Sequence, residues 1–504
     1  MNNEQSRTLN SVKNILSSFS YQILMLALSF FSRTIFLKIL SVEYLGIQGL
    51  FSDILSLLSM ADLGFNTAMT FSLYKPLAEH DTRKISGLIT FYKKVYLIIA
   101  TVIFIIGILL IPFLKYIVNL DTEIPNLSLY YFLYLLNTVA SYLVVYKTTI
   151  LQADQKAYIV TKYTSVFSVL QTCLMLIFLY LTHNYLLYLI IQVIFTYLSN
   201  FYVSSVASRL YPYINKKITL PQRETRKIFE NIKSVFIYKV SNVLITATDN
   251  TLISVIVGTV ATGLYSNYSL IVLKATTLIN TIFYSLTASL GNLIVKESPR
   301  KRYQVFLVLQ TVSNIFSIIS VTEILFLMQD FIRMWLGKEY VLSNFVLFAI
   351  VLNFYFSISL LPIWVYREAT GLYNKIKYVM LTTAILNLFV SIALGKTIGL
   401  AGILLGTSIS RILTYFWYEP ILLFKNFFMQ SSRVYFLSVL KSLLLLGFVI
   451  LICSKITCMI EVHSISFLFL KAIVVFIVST LVTLFFYRNS EGVDFLKVKI
   501  TERF

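Results

Sequence analysis

Four sets of polar residues recur at helical spacing inside apolar stretches of this chain, where an ionic side chain is expensive to place. Ser18, Gln22, Ser29 and Arg33 form the first set; at 100° per residue they fall within about 60° of one another. Lys239, Asn242, Thr246 and Asp249 form the second, within about 80° by the same arithmetic. Asn267, Lys274 and Thr281 follow at seven-residue spacing, and Ser408, Arg411, Tyr415 and Glu419 share one helical face. A charge at mid-bilayer costs about 2.5–3.5 kcal/mol on insertion scales and turns toward a protein partner or water. The chemistry such stripes offer is electrostatic capture. They predict a water-filled, mainly cationic lumen in which Arg33, Lys239, Asn242, Lys274 and Arg411 bind an anionic substrate. Asp53, Asp62 and Asp249 are the carboxylates placed to couple transport to H+ or Na+. Asp62 shares a side with Ser59 and Asn66, and a hydrogen-bonded helix contact accounts for it equally well.

Structural ion pairing is the competing reading. Arg33 precedes Leu40 by seven residues and Asp53 follows Leu45 by eight. Both therefore sit roughly 10–12 Å below the outer surface, placed to neutralise each other across the first hairpin. Lys239 and Asp249 are about 15 Å apart along one helix and cannot pair directly. Glu419, two turns from Arg411, is that residue's possible partner. Lys38, Lys441 and Lys471 lie near span ends, where long cationic side chains snorkel to the headgroups.

The elements that position these residues are membrane helices. Of 504 residues 58% are hydrophobic and 13% charged, against about 25% charged in soluble domains. About 20 apolar residues cross the hydrocarbon. By that length the spans are 19–40, 45–72, 95–114, 127–146, 163–182, 186–208, 234–257, 263–295, 303–328, 344–366, 378–395, 399–424, 434–454 and 464–487. With the N-terminus inside, 30 of the 42 Lys and Arg fall in cytoplasmic loops and five in outer loops. This asymmetry supports fourteen helices with both ends cytoplasmic, because one missed central span would destroy it. The net charge of +20 is spread between spans and forms no compact nucleic-acid patch; it meets anionic lipid instead. Cys173, Cys453 and Cys458 match no zinc or redox spacing, and His80, His183 and His463 fall in loops. Residues 1–18 are polar, with no small-residue cleavage site after them, so the first helix is retained. Pro112, Pro362 and Pro420 each permit a bend.

An internal repeat organises the spans. Slid by 217 residues, Thr34 meets Thr251, Gly46 meets Gly263, Phe51 meets Tyr268 and Ser52 meets Ser269. The reading is two parallel six-helix lobes, 1–210 and 234–428, related by a pseudo-two-fold along the membrane normal. A basic cytoplasmic linker, 211–233, joins them, and residues 429–504 add helices 13 and 14 with a tail. Rocking of such lobes exposes a cavity to alternate sides. No Walker loop, HExxH, GxSxG or acidic cluster in an outer loop is present, so a transporter is expected and not an enzyme. The loop PLAEHDTRKISG also lacks the glycine-aspartate-arginine signature of major facilitator transporters.

Several segments carry a resemblance. These are RTIFLKILSVEYLGIQGLFSDILSLLSMADLGFNTAMTFSLYKPLAEHD (33–81), FYKKVY (91–96), LQADQKAYIV (151–160), DNTLIS with GLYSNYSLI (249–271), WLGKEY (335–340), and GLAGILLGTSISR with WYEPILL (399–423). In order and spacing the set resembles Wzx-type polysaccharide repeat-unit flippases of the multidrug/oligosaccharidyl-lipid/polysaccharide exporter superfamily. The resemblance implies a monomeric carrier of undecaprenyl-diphosphate-linked oligosaccharide in the bacterial plasma membrane, working beside glycosyltransferases and a polysaccharide polymerase. It also implies that helices 13 and 14 guide the lipid tail and that Arg33, Lys239, Lys274 and Arg411 suit the diphosphate. The alternatives are an ion-coupled multidrug or metabolite antiporter on the same scaffold, whose cavity should be acidic, and a membrane enzyme acting on polyprenyl lipids.

Overall fold

The computed structural model describes residues 2–62, 65–119, 124–221, 225, 236–458 and 460–495. Side chains are described from residue 20 onward except at a few helical positions; for Ser18 and Asp62 the backbone alone is described. The described residues are almost entirely helical and include no strand, as a hydrocarbon solvent demands when each backbone polar group must be satisfied within its own segment. Nine helices among them are long and apolar enough to cross a membrane, and eleven when two bent pairs are each counted as one span. The chain is thus a multi-pass membrane protein. It divides into two compact units, Met1–Gly263 and Leu264–Phe504.

The first unit contains α1 (Asn2–Ile39), α2 (Val42–Leu58), α3 (Phe65–Ala78), α4 (Thr82–Leu110), α5 (Leu127–Tyr142), α6 (Val145–Ala153), α7 (Ala157–Thr182), α8 (Tyr185–Leu210) and α9 (Asp249–Ile256). α10 (Thr259–Tyr284) crosses the boundary. The second unit continues with α11 (Thr287–Lys296), α12 (Pro299–Trp335), α13 (Asn344–Ser359), α14 (Leu361–Thr370), α15 (Tyr373–Leu413), α16 (Tyr415–Leu423), α17 (Arg433–Thr457) and α18 (Ile465–Tyr487).

The 217-residue repeat is written into these boundaries. α2, α4 and α5 begin at Val42, Thr82 and Leu127; 217 residues on, α10, α12 and α13 begin at Thr259, Pro299 and Asn344. α5 and α13 end in register, at Tyr142 and Ser359. Each is followed by a bent continuation, α6 at 48° and α14 at 43°. The caps correspond too. Asp81 accepts from Lys84 N–H (2.9 Å) and Ser298 from Lys301 N–H (3.4 Å), each satisfying an orphan donor of a first turn.

Several spans expected to be continuous are broken. The second, expected over 45–72, ends at Leu58 in a 3-10 turn, Ser59–Asp62, before α3 resumes. The Ser59 hydroxyl donates back to the Leu55 carbonyl (2.7 Å), a bond that bends helices. The eighth, expected over 263–295, breaks between Tyr284 and Thr287, and the tenth breaks before Pro362, which has no N–H for the Ile358 carbonyl; the Ser313 hydroxyl donates to that carbonyl instead (2.7 Å). α15 hides a hairpin, because Ile398 and Gly399 leave helical geometry (Gly399 φ +64°). Its two arms run antiparallel. Asn387 donates to Thr407 (3.0 Å), Ser391 to the Ile403 carbonyl (3.1 Å), and the Thr383 and Thr414 hydroxyls meet at 2.6 Å. A side chain at Gly402 or Gly406 would collide with Leu394 or Ser391.

A second close crossing is reciprocal. A Cβ on Gly46 of α2 would strike the carbonyl of Thr259, and one on Gly263 of α10 would strike the carbonyl of Val42. These four positions are two pairs of 217-residue equivalents, so the crossing of α2 on the start of α10 has local two-fold character. Nearby, Thr259 N–H donates to the Asn119 carbonyl (2.9 Å) and the Thr259 hydroxyl accepts from Asn119 N–H (3.0 Å). Replacing Gly46 by valine should force the helices apart at a cost of about 1–3 kcal/mol; thermal unfolding of the detergent-solubilised variant at an unchanged midpoint would refute this.

Candidate functional site

In the first unit Arg33, on the C-terminal half of α1, lies within electrostatic reach of the Tyr134 and Tyr188 hydroxyls. α5 and α8 supply these rings as part of an aromatic box. Tyr134 and Tyr185 share a hydrogen bond (3.1 Å). Phe36 stands edge-on to Tyr185 and Tyr188 with centroids 5.9 and 5.6 Å away, and Tyr44 and Tyr130 stand edge-on to Tyr185 at 4.9 and 5.0 Å. Tyrosine suits this place because its ring packs in an apolar core while its hydroxyl lines a polar spot without formal charge. Reasoning from charged residues missed the box. Its signal was the four-residue spacing of Tyr130 with Tyr134 and the three-residue spacing of Tyr185 with Tyr188.

Asp53 accepts the backbone N–H of Asn250 (3.1 Å), so Arg33 and Asp53 each have a partner other than the one expected across the first hairpin. Lys239 is half-buried and Asn242 exposed on the helical residues 236–246. A bend at 247–248 separates them from Asp249, which opens α9; the expected single stripe from Lys239 to Asp249 is therefore interrupted. Asp62 ends the 3-10 turn, so its placement with Ser59 and Asn66 on one continuous helix does not hold. Asn66 instead accepts from Thr149 of α6 (3.2 Å). Of the basic linker 211–233, residues 211–221 and 225 are described, and four of its six cations lie outside them. Beside it, Asp154 of the LQADQKAYIV motif binds Lys156 (2.7 Å) and accepts from Tyr211 (2.6 Å). Burial, and then the hydrogen bond to that carboxylate, push the Tyr211 phenol well above its ordinary range. This motif closes the turn from α6 to α7 onto the end of α8.

In the second unit Lys274 is half-buried on α10, where Asn267 is fully buried. Arg411 is 8% exposed. Its Nη1 donates to the Ser357 hydroxyl (3.3 Å) and the Asn353 carbonyl (3.5 Å) of α13, and its Nε is buried with no hydrogen-bond partner. Glu419 is not its counter-ion. The non-helical Thr414 (φ −125°, ψ −102°) separates them, and Glu419 instead accepts two bonds from Arg367 Nη1 (2.9 and 3.1 Å). Arg367 counts as a cytoplasmic loop cation when read from sequence, yet it is 5% exposed on α14 and Glu419 is 2% exposed on α16. Lys471 likewise does not snorkel: it pairs with Asp330 of α12 at 2.7 Å. Lys38 and Lys441 are exposed, as snorkelling requires. Among the described residues no three His, Cys, Asp or Glu side chains cluster to hold a metal. The arrangement offers cations, hydroxyls and amides for binding anions and sugars.

Removing one member of a buried pair strands the other charge, at about 3–5 kcal/mol. Arg367→Ala should therefore destabilise the second unit strongly, and Arg367→Met combined with Glu419→Leu should recover most of the loss. A double-mutant cycle read by thermal unfolding checks this; additive losses would contradict it.

The sequence profile of a family described as polysaccharide biosynthesis protein matches residues 11–290, more than half of the chain. None of the curated proteins matches it. Among solved structures, the lipid II flippase MurJ in an inward closed conformation superposes with a TM-score of 0.65 at 18% identity, covering 95% of this chain and 99% of its own. A multidrug resistance MATE family transporter of the MOP superfamily, inward-facing, gives 0.60 at 14% identity over 80% of this chain and 97% of its own. A MOP superfamily transporter from Pyrococcus furiosus gives 0.54 at 13% identity, over 83% and 96%. The chain belongs to the polysaccharide biosynthesis protein family, on the fold shared by the lipid II flippase and the MATE transporters.

Proposed function

We propose that this protein is a flippase that moves undecaprenyl-diphosphate-linked oligosaccharide repeat units from the cytoplasmic to the outer leaflet of a bacterial plasma membrane. It works as a carrier by alternating access and supplies a polymerase that builds capsule, exopolysaccharide or O-antigen-type polymer. In this reading fourteen helices form two lobes, 1–210 and 234–428, with both termini cytoplasmic and α17 and α18 added beyond them. The protein acts as a monomer without a cofactor. Arg33, Lys239, Asn242, Lys274 and Arg411 hold the diphosphate and sugars, and Asp53, Asp62 and Asp249 are the candidates for H+ or Na+ coupling.

The observation that carries the reading is Arg411. It is a buried guanidinium with neutral partners, an unbonded Nε and no carboxylate within ion-pair distance among the described residues. A buried cation without a counter-ion is costly unless an anion completes it, and a diphosphate accepts the guanidinium fork. The antiporter reading shares the fold. The MATE transporter, however, covers 80% of this chain where the lipid II flippase covers 95%, which leaves room for the apolar pair α17–α18. Phe448, Leu481, Leu484 and Phe485 of this pair line an apolar groove suited to a polyprenyl tail.

Losing charge-assisted hydrogen bonds worth about 1.5–3 kcal/mol should cut transport roughly 10–100-fold. Arg411→Ala is therefore expected to deplete surface polymer while the amount of protein in the membrane stays unchanged. Full polymer output from both Arg411→Ala and Arg33→Ala would remove these residues from the site.

A further inference from the structure

α12 contains a carboxylate that the substrate site does not use. Residues 303–322 carry no charged side chain; Glu323 follows, and six more uncharged residues separate it from Asp330. Glu323, Asp330 and Glu419 all lie inside helices of the second unit, and two of them have cations: Asp330 pairs with Lys471 at 2.7 Å and Glu419 with Arg367 at 2.9 Å. Glu323 has no ion pair among the described residues. Glu323 is half-buried, and its Oε1 is buried without a hydrogen-bond partner among the described residues.

The helices packed on α12 offer it no counter-charge. α17 presents the buried thiol of Cys453, whose electrostatic neighbour is Glu323, while its cations Arg433, Lys441 and Lys455 are exposed. On α18, Lys471 is committed to Asp330, and Tyr487 lies beside Ser442 and Asn314. On α13 the titratable group is Tyr355, also beside Ser442. On α14, Tyr366 donates to the Arg302 carbonyl at the far end of α12, and Arg367 serves Glu419. Lys338 and Glu339 stand in the short turn beyond Trp335, and Lys425 lies near the opposite end. An ionised carboxylate without a counter-charge is costly in such surroundings, whereas a neutral carboxylic acid is not, and its O–H supplies a donor.

We infer that Glu323 is a proton-binding site within the membrane, holding its proton while α12 and α17 are packed together. The proton leaves only when that contact opens to water. Glu323 thus ties the protonation of α12 to the seating of the C-terminal helix pair. Carbodiimide labelling tests this on the full-length protein in membranes, because a hydrophobic carbodiimide adds to a protonated, water-shielded carboxyl group. Dicyclohexylcarbodiimide at neutral pH should modify the peptide containing Glu323, with the yield falling several-fold as pH is raised. Glu323→Gln, which copies the neutral form, should lose the adduct while unfolding at the parent temperature. A peptide left unlabelled at neutral and mildly acidic pH, or labelling of Glu323 that ignores pH, would overturn the inference. The labelling does not depend on what the protein carries, so its failure is separable from failure of the transport assignment.

Discussion

Hydrocarbon cannot solvate a charge, and nearly every specific contact in this protein follows from that constraint. Several charges buried among the helices are met by protein. Arg367 meets Glu419, Lys471 meets Asp330, Arg33 faces two tyrosine hydroxyls, and Arg411 reaches a serine and a carbonyl. Buried pairs of this kind add little net stability, because desolvation offsets their attraction, but they penalise every alternative packing. Lys471 and Asp330 thereby set the register of α18 on α12, and Arg367 and Glu419 that of α16 on α14.

The second organising feature is duplication, and it is carried by backbone punctuation more than by side chains. Helix starts, caps and bends recur at 217 residues, and the Gly46–Thr259 contact is mirrored by Gly263 and Val42. Arg83 and Lys84 recur as Arg300 and Lys301 at the helix starts, but the ionic residues deep within the helices do not. The position equivalent to Arg33 is Asn250, that of Arg411 is Ile194, and those of Arg367 and Glu419 are Ile150 and Tyr202. A duplicated scaffold with unlike linings gives each repeat its own chemistry: hydroxyl-rich and aromatic in the first unit, ionic and amide-rich in the second.

Much of the fold was legible beforehand because its causes are local. Apolar run length gives spans, loop cations give an expected orientation, and glycines at 46 and 263 expose the repeat, since close helix crossings exclude larger residues. The breaks were less legible. Ser59, Ser285 and Thr414 interrupt helices inside runs apolar enough to read as continuous, and hydropathy averages over the few residues that decide a kink. Helical-face arithmetic then failed wherever it crossed a break, as at Asp62, at Asp249 and between Arg411 and Glu419.

The sequence by itself determined the solvent, the helical class, the repeat and which residues are costly to bury, because each depends on composition or spacing within one segment. Tertiary structure alone decided who meets whom. That Glu419 serves Arg367, 52 residues away, that Lys471 serves Asp330, 141 away, and that Tyr134 and Tyr188 face Arg33 are consequences of helix packing. Periodicity carries no information about them, because it fixes a side chain's direction around its own helix and not the neighbour standing opposite.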